Sequence, residues 1–158
     1  MIISTSAEQT QELGRRLAEN LKSGDVVLLS GDLGAGKTCF TQGIAAGLGI
    51  EEQVCSPTFI ILQVYQGAAG NSSDVVTLQH FDLYRLEESE QLEDIDYWGC
   101  LDSSAVSIVE WGDQFPDALP PAYLLVRIAV LADGSRNFEL QAVGQRYQQL
   151  ASDWMTDS

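Results

Sequence analysis

Two hydrophobic periods trade places along the chain, one of about 3.6 residues and one of two. Leu13, Leu17 and Leu21 recur at helical spacing behind Thr5-Ser6-Ala7-Glu8-Gln9, which holds overlapping capping boxes, Thr5 with Glu8 and Ser6 with Gln9. This predicts a helix over about 7–22, preceded by a short strand at 2–4. After Ser23-Gly24-Asp25 the run Val26-Val27-Leu28-Leu29 is continuously apolar, as in a strand buried on both faces, and predicts a strand over 26–30. Helical spacing returns with Phe40, Ile44 and Leu48 and stops near Gly47 and Gly49. β-branched and aromatic residues then predict strands over 59–65 and 75–81, joined by a small polar loop at 67–74. The acidic stretch 86–96 predicts a short helix on Leu92 and Ile95, and 97–101 a partly buried connection. A short apolar strand at 105–109, a proline-rich crossing loop at 115–121, and strands at 122–131 and 137–143 around Asp133-Gly134 follow. A helix over 145–155 ends the pattern.

Strand, loop and helix in that order give an α/β fold with the parallel core of a P-loop NTPase. The two hairpin signals add antiparallel strands. The expectation is a three-layer fold with a mixed, mainly parallel core sheet and antiparallel additions, in one domain over 1–158.

Composition narrows the function. The chain has 158 residues, 45% hydrophobic and 20% charged, which suits a globular protein with a sizeable core. No apolar run approaches the ~20 residues of a membrane span. Met1-Ile2-Ile3-Ser4-Thr5 lacks a basic region followed by an apolar core, so no secretory leader is expected. Cys39, Cys55 and Cys100 are odd in number and lack C-x-x-C spacing, as in reduced thiols of a cytoplasmic protein. Net charge is −15, from 23 acidic and 8 basic residues. Such a surface repels nucleic-acid backbones and anionic membranes, so no strong direct tRNA site is expected. Lys22 and Lys37 are the only lysines, which excludes a GTPase with an N-K-x-D guanine-reading segment after the phosphate loop. The few arginines weaken a small-molecule kinase, which clamps two phosphorylated substrates.

Between the strand at 26–30 and the next helix lies Gly31-Asp32-Leu33-Gly34-Ala35-Gly36-Lys37-Thr38, a G-x-x-x-x-G-K-[ST] phosphate loop in the context the motif requires. Backbone N–H groups there cradle a polyphosphate, Lys37 reaches the β- and γ-phosphates, and the Thr38 hydroxyl can take a place on Mg²⁺. Hydrolysis also needs a carboxylate for the metal and a group that orients water. Asp82 and Glu110 each follow an apolar strand and have the form of such acids. Either can equally be a polar strand end. Thr58 sits on a rigid turn after Ser56-Pro57, where it can sense a γ-phosphate or satisfy backbone. His80, the only histidine, is expected to be structural, and Tyr84, Trp98 and Trp111 to pack or to form a docking surface.

Gly-Asp-Leu-Gly-Ala-Gly-Lys-Thr at 31–38, Ser-Pro-Thr-Phe at 56–59, His-Phe-Asp-Leu-Tyr-Arg at 80–85, Glu-Trp at 110–111 and Glu-x-Thr-x-x-Leu-Gly at 8–14 together resemble the TsaE (YjeE) family. The resemblance covers nearly the whole chain. It departs at Cys39, where threonine is common, and at Gly112, where proline often follows the tryptophan. It implies a Mg²⁺-dependent ATPase of tRNA threonylcarbamoyladenosine synthesis, working with TsaD and TsaB on adenosine 37. On that reading Leu33, Gly34, Ala35, Gly36, Lys37 and Thr38 bind the phosphates of ATP, and Thr38 and Glu110 hold Mg²⁺. Asp82 orients water or supports the cation's ligands, and Thr58 senses the γ-phosphate. Ser6–Thr10 and Gly134-Ser135-Arg136 form the adenine pocket. The competing readings are a small-molecule kinase and a non-hydrolysing, ATP-gated interaction module. Few arginines lie near the motifs, so a partner is expected to complete the site and accelerate slow turnover.

Overall fold

The structure is a computed structural model and describes residues 2–32, 34–52, 54, 62–68, 75–83, 88, 90–110 and 116–156. Strand β1 is Ile2–Ser4, and helix α1, Ala7–Ala18, follows it. Ser6 caps α1 by accepting from Gln9 N, while the Gln9 amide oxygen accepts from Thr5 N at 2.7 Å. The capping box therefore closes one residue earlier than the simple pattern. The helix stops at Ala18, short of the predicted 22, because Asp25 Oδ2 accepts from Lys22 N at 2.7 Å and turns the chain. Leu21 still packs on the core from that turn.

Strand β2, Val26–Ser30, is buried at every residue. It lies at the centre of a seven-stranded sheet of order β1-β7-β6-β2-β5-β4-β3, with β3 Leu62–Ala68, β4 Val75–Asp82, β5 Val106–Glu110, β6 Tyr123–Val130 and β7 Arg136–Val143. The four central strands pair in parallel and the flanking pairs are antiparallel, as the hairpin signals predicted. β3 extends to Ala68, because Gly67 and Ala68 still pair with Val76 and Val75; residues 59–61 and most of the predicted loop lie outside the described residues. β4 and β5 each run one residue past the predicted end, since Asp82 pairs with Glu110.

Helix α2, Lys37–Gly47, and the last helix, α5, Gln145–Thr156, share one sheet face with α1. Phe40 of α2 sits between Phe138 of β7 and Trp154 of α5, with ring centroids at 5.4 and 5.8 Å. α1 and α2 touch backbone to backbone. A Cβ on Gly43 would lie 2.0 Å from Gln11 O, and one on Gly14 2.3 Å from Phe40 O, so only glycine allows this approach. The opposite face carries α3, Gln91–Asp94, and α4, Tyr97–Leu101. α4 forms where a connection was expected. Tyr97 drives it by burial: its ring meets Phe81 edge-on, and its hydroxyl donates to Ala118 O at 2.8 Å. Among the described residues no helix is long and apolar enough to cross a membrane.

The lower edge of the sheet, before β2, is locked by a buried acid. Asp25 accepts from Arg146 Nη2 at 2.6 Å and Nε at 3.1 Å, and Tyr147 Oη accepts from Val26 N at 2.8 Å.

Candidate functional site

At its other end β2 delivers the glycine-rich loop. Gly34 and Gly36 have φ of 82° and 110°, which L side chains rarely adopt, and this curl turns the chain directly into α2. Gly36 caps α2 without any side-chain hydrogen bond, and no acid stands in the first turn. The donors and the positive dipole of that turn are therefore presented by the backbone itself, the arrangement that binds anions at helix ends. Lys37 opens the helix, and its Nζ donates to Gly31 O at 2.7 Å, which holds the ammonium across the loop. Thr38 follows, half-buried. Leu33 lies outside the described residues.

The loop is braced from the β6–β7 hairpin. Arg136 donates from Nε to Ala35 O at 3.1 Å, from Nη2 to Gly34 O at 3.3 Å, and from Nη1 to Gly134 O. Gly134 has φ of 87° in the hairpin turn, and Asp133 Oδ1 closes that turn by accepting from Ser135 N at 2.9 Å. One guanidinium thus ties the turn to the phosphate loop. Beside it lies a cavity of about 130 Å³ lined by Ser4, Ser6, Thr10, Gly36, Cys39 and Arg136 among others. Pockets for whole drug-sized ligands run to roughly 300–1,000 Å³, so this one fits a fragment such as a base. The predicted adenine segments do meet here through Ser6, Thr10 and Arg136, while Gly134 reaches it only through the Arg136 bond. Burial, then the charge of Glu8, pushes the Cys39 thiol up from its ordinary value.

The acids arrive from the neighbouring strands. Asp82 and Glu110 are the paired last residues of β4 and β5, each 4% exposed, and Glu110 is also level with Leu29 of β2. Alternation places His80, Asp82 and Glu110 on the sheet face that carries α2. His80 is fully buried, with Nε2 at 3.5 Å from Glu110 Oε1. Both His80 nitrogens and Glu110 Oε1 are buried without a hydrogen-bond partner. Buried polar atoms left in this way are uncommon, and Asn137 Oδ1 is the other such atom among the described residues.

These donors fit magnesium. The cation takes oxygen ligands, commonly one or two carboxylates together with phosphate oxygens, and needs no cage of protein ligands. Glu110 offers a buried carboxylate near the end of β2, and Thr38 a hydroxyl in the first turn of α2. Among the described residues no cluster of three or more His, Cys, Asp or Glu is placed to hold a metal. Thr58, Tyr84, Arg85 and Trp111 lie outside the described residues.

The family model of the "Threonylcarbamoyl adenosine biosynthesis protein TsaE" matches residues 4–138. The chain belongs to the TsaE family. Its function therefore lies in the biosynthesis of threonylcarbamoyladenosine in tRNA. It is 42% identical over 134 residues to the TsaE protein of Treponema pallidum, covering 85% of this chain and 94% of that one. To the TsaE protein of Bacillus subtilis it is 39% identical over 151 residues, covering 95% and 90%. The crystal structure of YdiB from Bacillus subtilis superposes with a TM-score of 0.75 at 31% identity, over 99% of this chain and 93% of that one.

Two features of this TsaE-family site escaped the sequence reading. The contact of His80 with Glu110 was signalled by period two, which puts residue 80 on the face of residue 82. The Arg136 brace had no local signal, because its partners Gly34 and Ala35 are about a hundred residues away in sequence.

Proposed function

We propose that the chain binds ATP with Mg²⁺ at the 31–38 loop and hydrolyses it in the cytoplasm in support of threonylcarbamoyladenosine synthesis, together with TsaD and TsaB. The observation that carries this reading is one of register: β2 delivers the backbone-lined helix start bearing Lys37, and Glu110 lies level with Leu29 near the end of β2, with Asp82 level with Glu110. Gly34, Ala35, Gly36 and Lys37, together with Leu33, hold the phosphates. Thr38 and Glu110 hold the cation, which offsets charge on the β- and γ-phosphates when bound. Asp82 orients water, Thr58 senses the γ-phosphate, and the small cavity beside Arg136 takes the adenine.

Among the arginines of the described residues, Arg136 is spent on loop carbonyls, Arg146 on Asp25, Arg15 on Glu12 and Glu19 and Arg16 on Glu12, while Arg127, level with Ser30, stands exposed on the sheet face opposite α2. An added arginine at a γ-phosphate is worth about 10³ to 10⁵ in rate, so a partner that supplies positive charge to this acidic chain accelerates turnover. The test is ATP titration of the parent and Lys37→Ala with Mg²⁺, then phosphate release by the chain alone and with TsaD and TsaB. Equal binding by both proteins, or no acceleration by the partners, overturns the reading.

A further inference from the structure

Sequence alone reads His80 as structural. Its surroundings do not behave as core. A buried structural histidine ordinarily spends both ring nitrogens on backbone or side-chain partners, because leaving them bare costs stability. Here Nδ1 and Nε2 both lack a hydrogen bond, as does Glu110 Oε1, 3.5 Å from Nε2. Hydrogen bonds close at roughly 2.7–3.2 Å, so this contact is a few tenths of an ångström longer than one. Such a bond satisfies two of the three orphaned atoms at once.

The placement follows from the sheet. His80 pairs in register with Ile108, and Glu110 is two residues further along β5 on the same face. Histidine and glutamate are long enough to meet across that diagonal. At 0% exposure the imidazole has no alternative partner in solvent.

We propose that His80 is a positioning residue for Glu110: its Nε2–H holds Oε1 and so fixes the plane of the carboxylate that is to face the cation. Groups that orient a metal-binding carboxylate commonly change metal affinity by 10- to 100-fold when removed. The inference rests on the proposed Mg–ATP site. It concerns what holds Glu110, not whether Glu110 binds.

The test is equilibrium binding, independent of turnover, with the non-hydrolysed analogue adenylyl imidodiphosphate as probe. Affinity is measured in excess chelator and then across a magnesium titration, for the parent, His80→Gln, His80→Asn, Glu110→Gln and His80→Asn with Glu110→Gln. Glutamine retains an N–H at the reach of Nε2, whereas asparagine falls short of it. His80→Asn is expected to raise the half-saturating magnesium at least tenfold while affinity in chelator stays at the parent value. His80→Gln is expected to remain near the parent. The double variant is expected to match Glu110→Gln alone, because the two residues act as one unit. Melting curves of the Gln and Asn variants should coincide, which separates positioning from folding.

A magnesium response unchanged in His80→Asn overturns the proposal, as does a double variant whose effects simply add. A loss shared equally by Asn and Gln overturns it in favour of a packing role. A parent chain indifferent to magnesium overturns the proposed function and this assignment with it.

Discussion

Two carboxylates at opposite ends of the sheet are buried to the same degree and treated in opposite ways. Asp25 and Glu110 are each 4% exposed. Both oxygens of Asp25 are engaged, Oδ1 by Arg146 Nε and Oδ2 by Arg146 Nη2 and Lys22 N. Glu110 keeps Oε1 without a partner, beside a histidine in the same condition. Depth of burial therefore does not distinguish the two acids; completeness of pairing does. A buried charge that folding alone had to satisfy would carry its partners with it. The lower end of β2 is closed in this way, and the upper end is the one we propose to bind Mg–ATP.

The contrast is strongest where the open acid is neutralised. Glu110→Gln should lower phosphate release, measured with TsaD and TsaB, by about 10² or more, the size of losing one charge-stabilising group at a reaction centre. Its melting temperature should hold or rise, because a neutral amide replaces a buried carboxylate and its oxygen can still accept from His80. A melting temperature that falls as far as that of an Asp25 variant would erase the distinction.

Asp25→Ala should do the reverse. Hydrogen bonds to charged groups are worth about 1.5–3 kcal/mol, and Arg146 can turn partly into water once freed, so a loss of about 2 kcal/mol is expected. In a chain of this size that is roughly 4–8 °C in melting temperature. ATP affinity of the folded protein should not change. Thermal unfolding and ATP titration on the same sample check both halves.

The closed end has a second, weaker latch. Tyr147→Phe removes the oxygen that accepts from Val26 N and leaves a buried N–H without its partner. About 1 kcal/mol of destabilisation is expected, the low end for such a group. It should couple to Asp25→Ala in a double-mutant cycle, since Asp25 and Val26 are adjacent, and should add independently to Glu110→Gln.

The sequence showed the open end better than the closed one. The loop at 31–38, its strand and its helix are legible because each local choice agrees with one motif, and the central parallel strands follow from it. Asp82 and Glu110 were legible as strand-end acids, and their pairing extends each strand by one residue. Asp25 was read only as part of a turn, because its partner Arg146 is 121 residues away and no local pattern joins them. The glycine contacts of α1 with α2 were missed for the same reason, although Gly43 and Gly47 at four-residue spacing within a helix are an unusual expense that signals close approach. α4 was missed because burial of Tyr97, not a helical repeat, folds it. Thr58 stays a proposal carried by resemblance.

The smallest expected effect uses a thiol as a reporter at the open end. Cys39 lines the cavity beside Gly36 and Arg136, and its Sγ donates to Ala7 O at 3.3 Å. Burial first, and then Glu8, raises its pKa above that of an ordinary cysteine, so the thiolate fraction near pH 7 is correspondingly lower. Only the thiolate alkylates readily. Modification by iodoacetamide should therefore be slow at pH 7 and should climb as pH rises through the raised pKa. Arg136 is the one group that pulls that pKa down, so Arg136→Met should slow the reaction at a fixed pH further. Cys100, on α4 and across the sheet, is also half-buried with a raised pKa and serves as the internal control. If the cavity takes the base of ATP, the nucleotide should slow alkylation of Cys39 several-fold and leave Cys100 alone, with peptide mapping by mass spectrometry as the readout. Equal protection of both thiols would show a general tightening of the fold, and protection of neither would place the base outside this cavity.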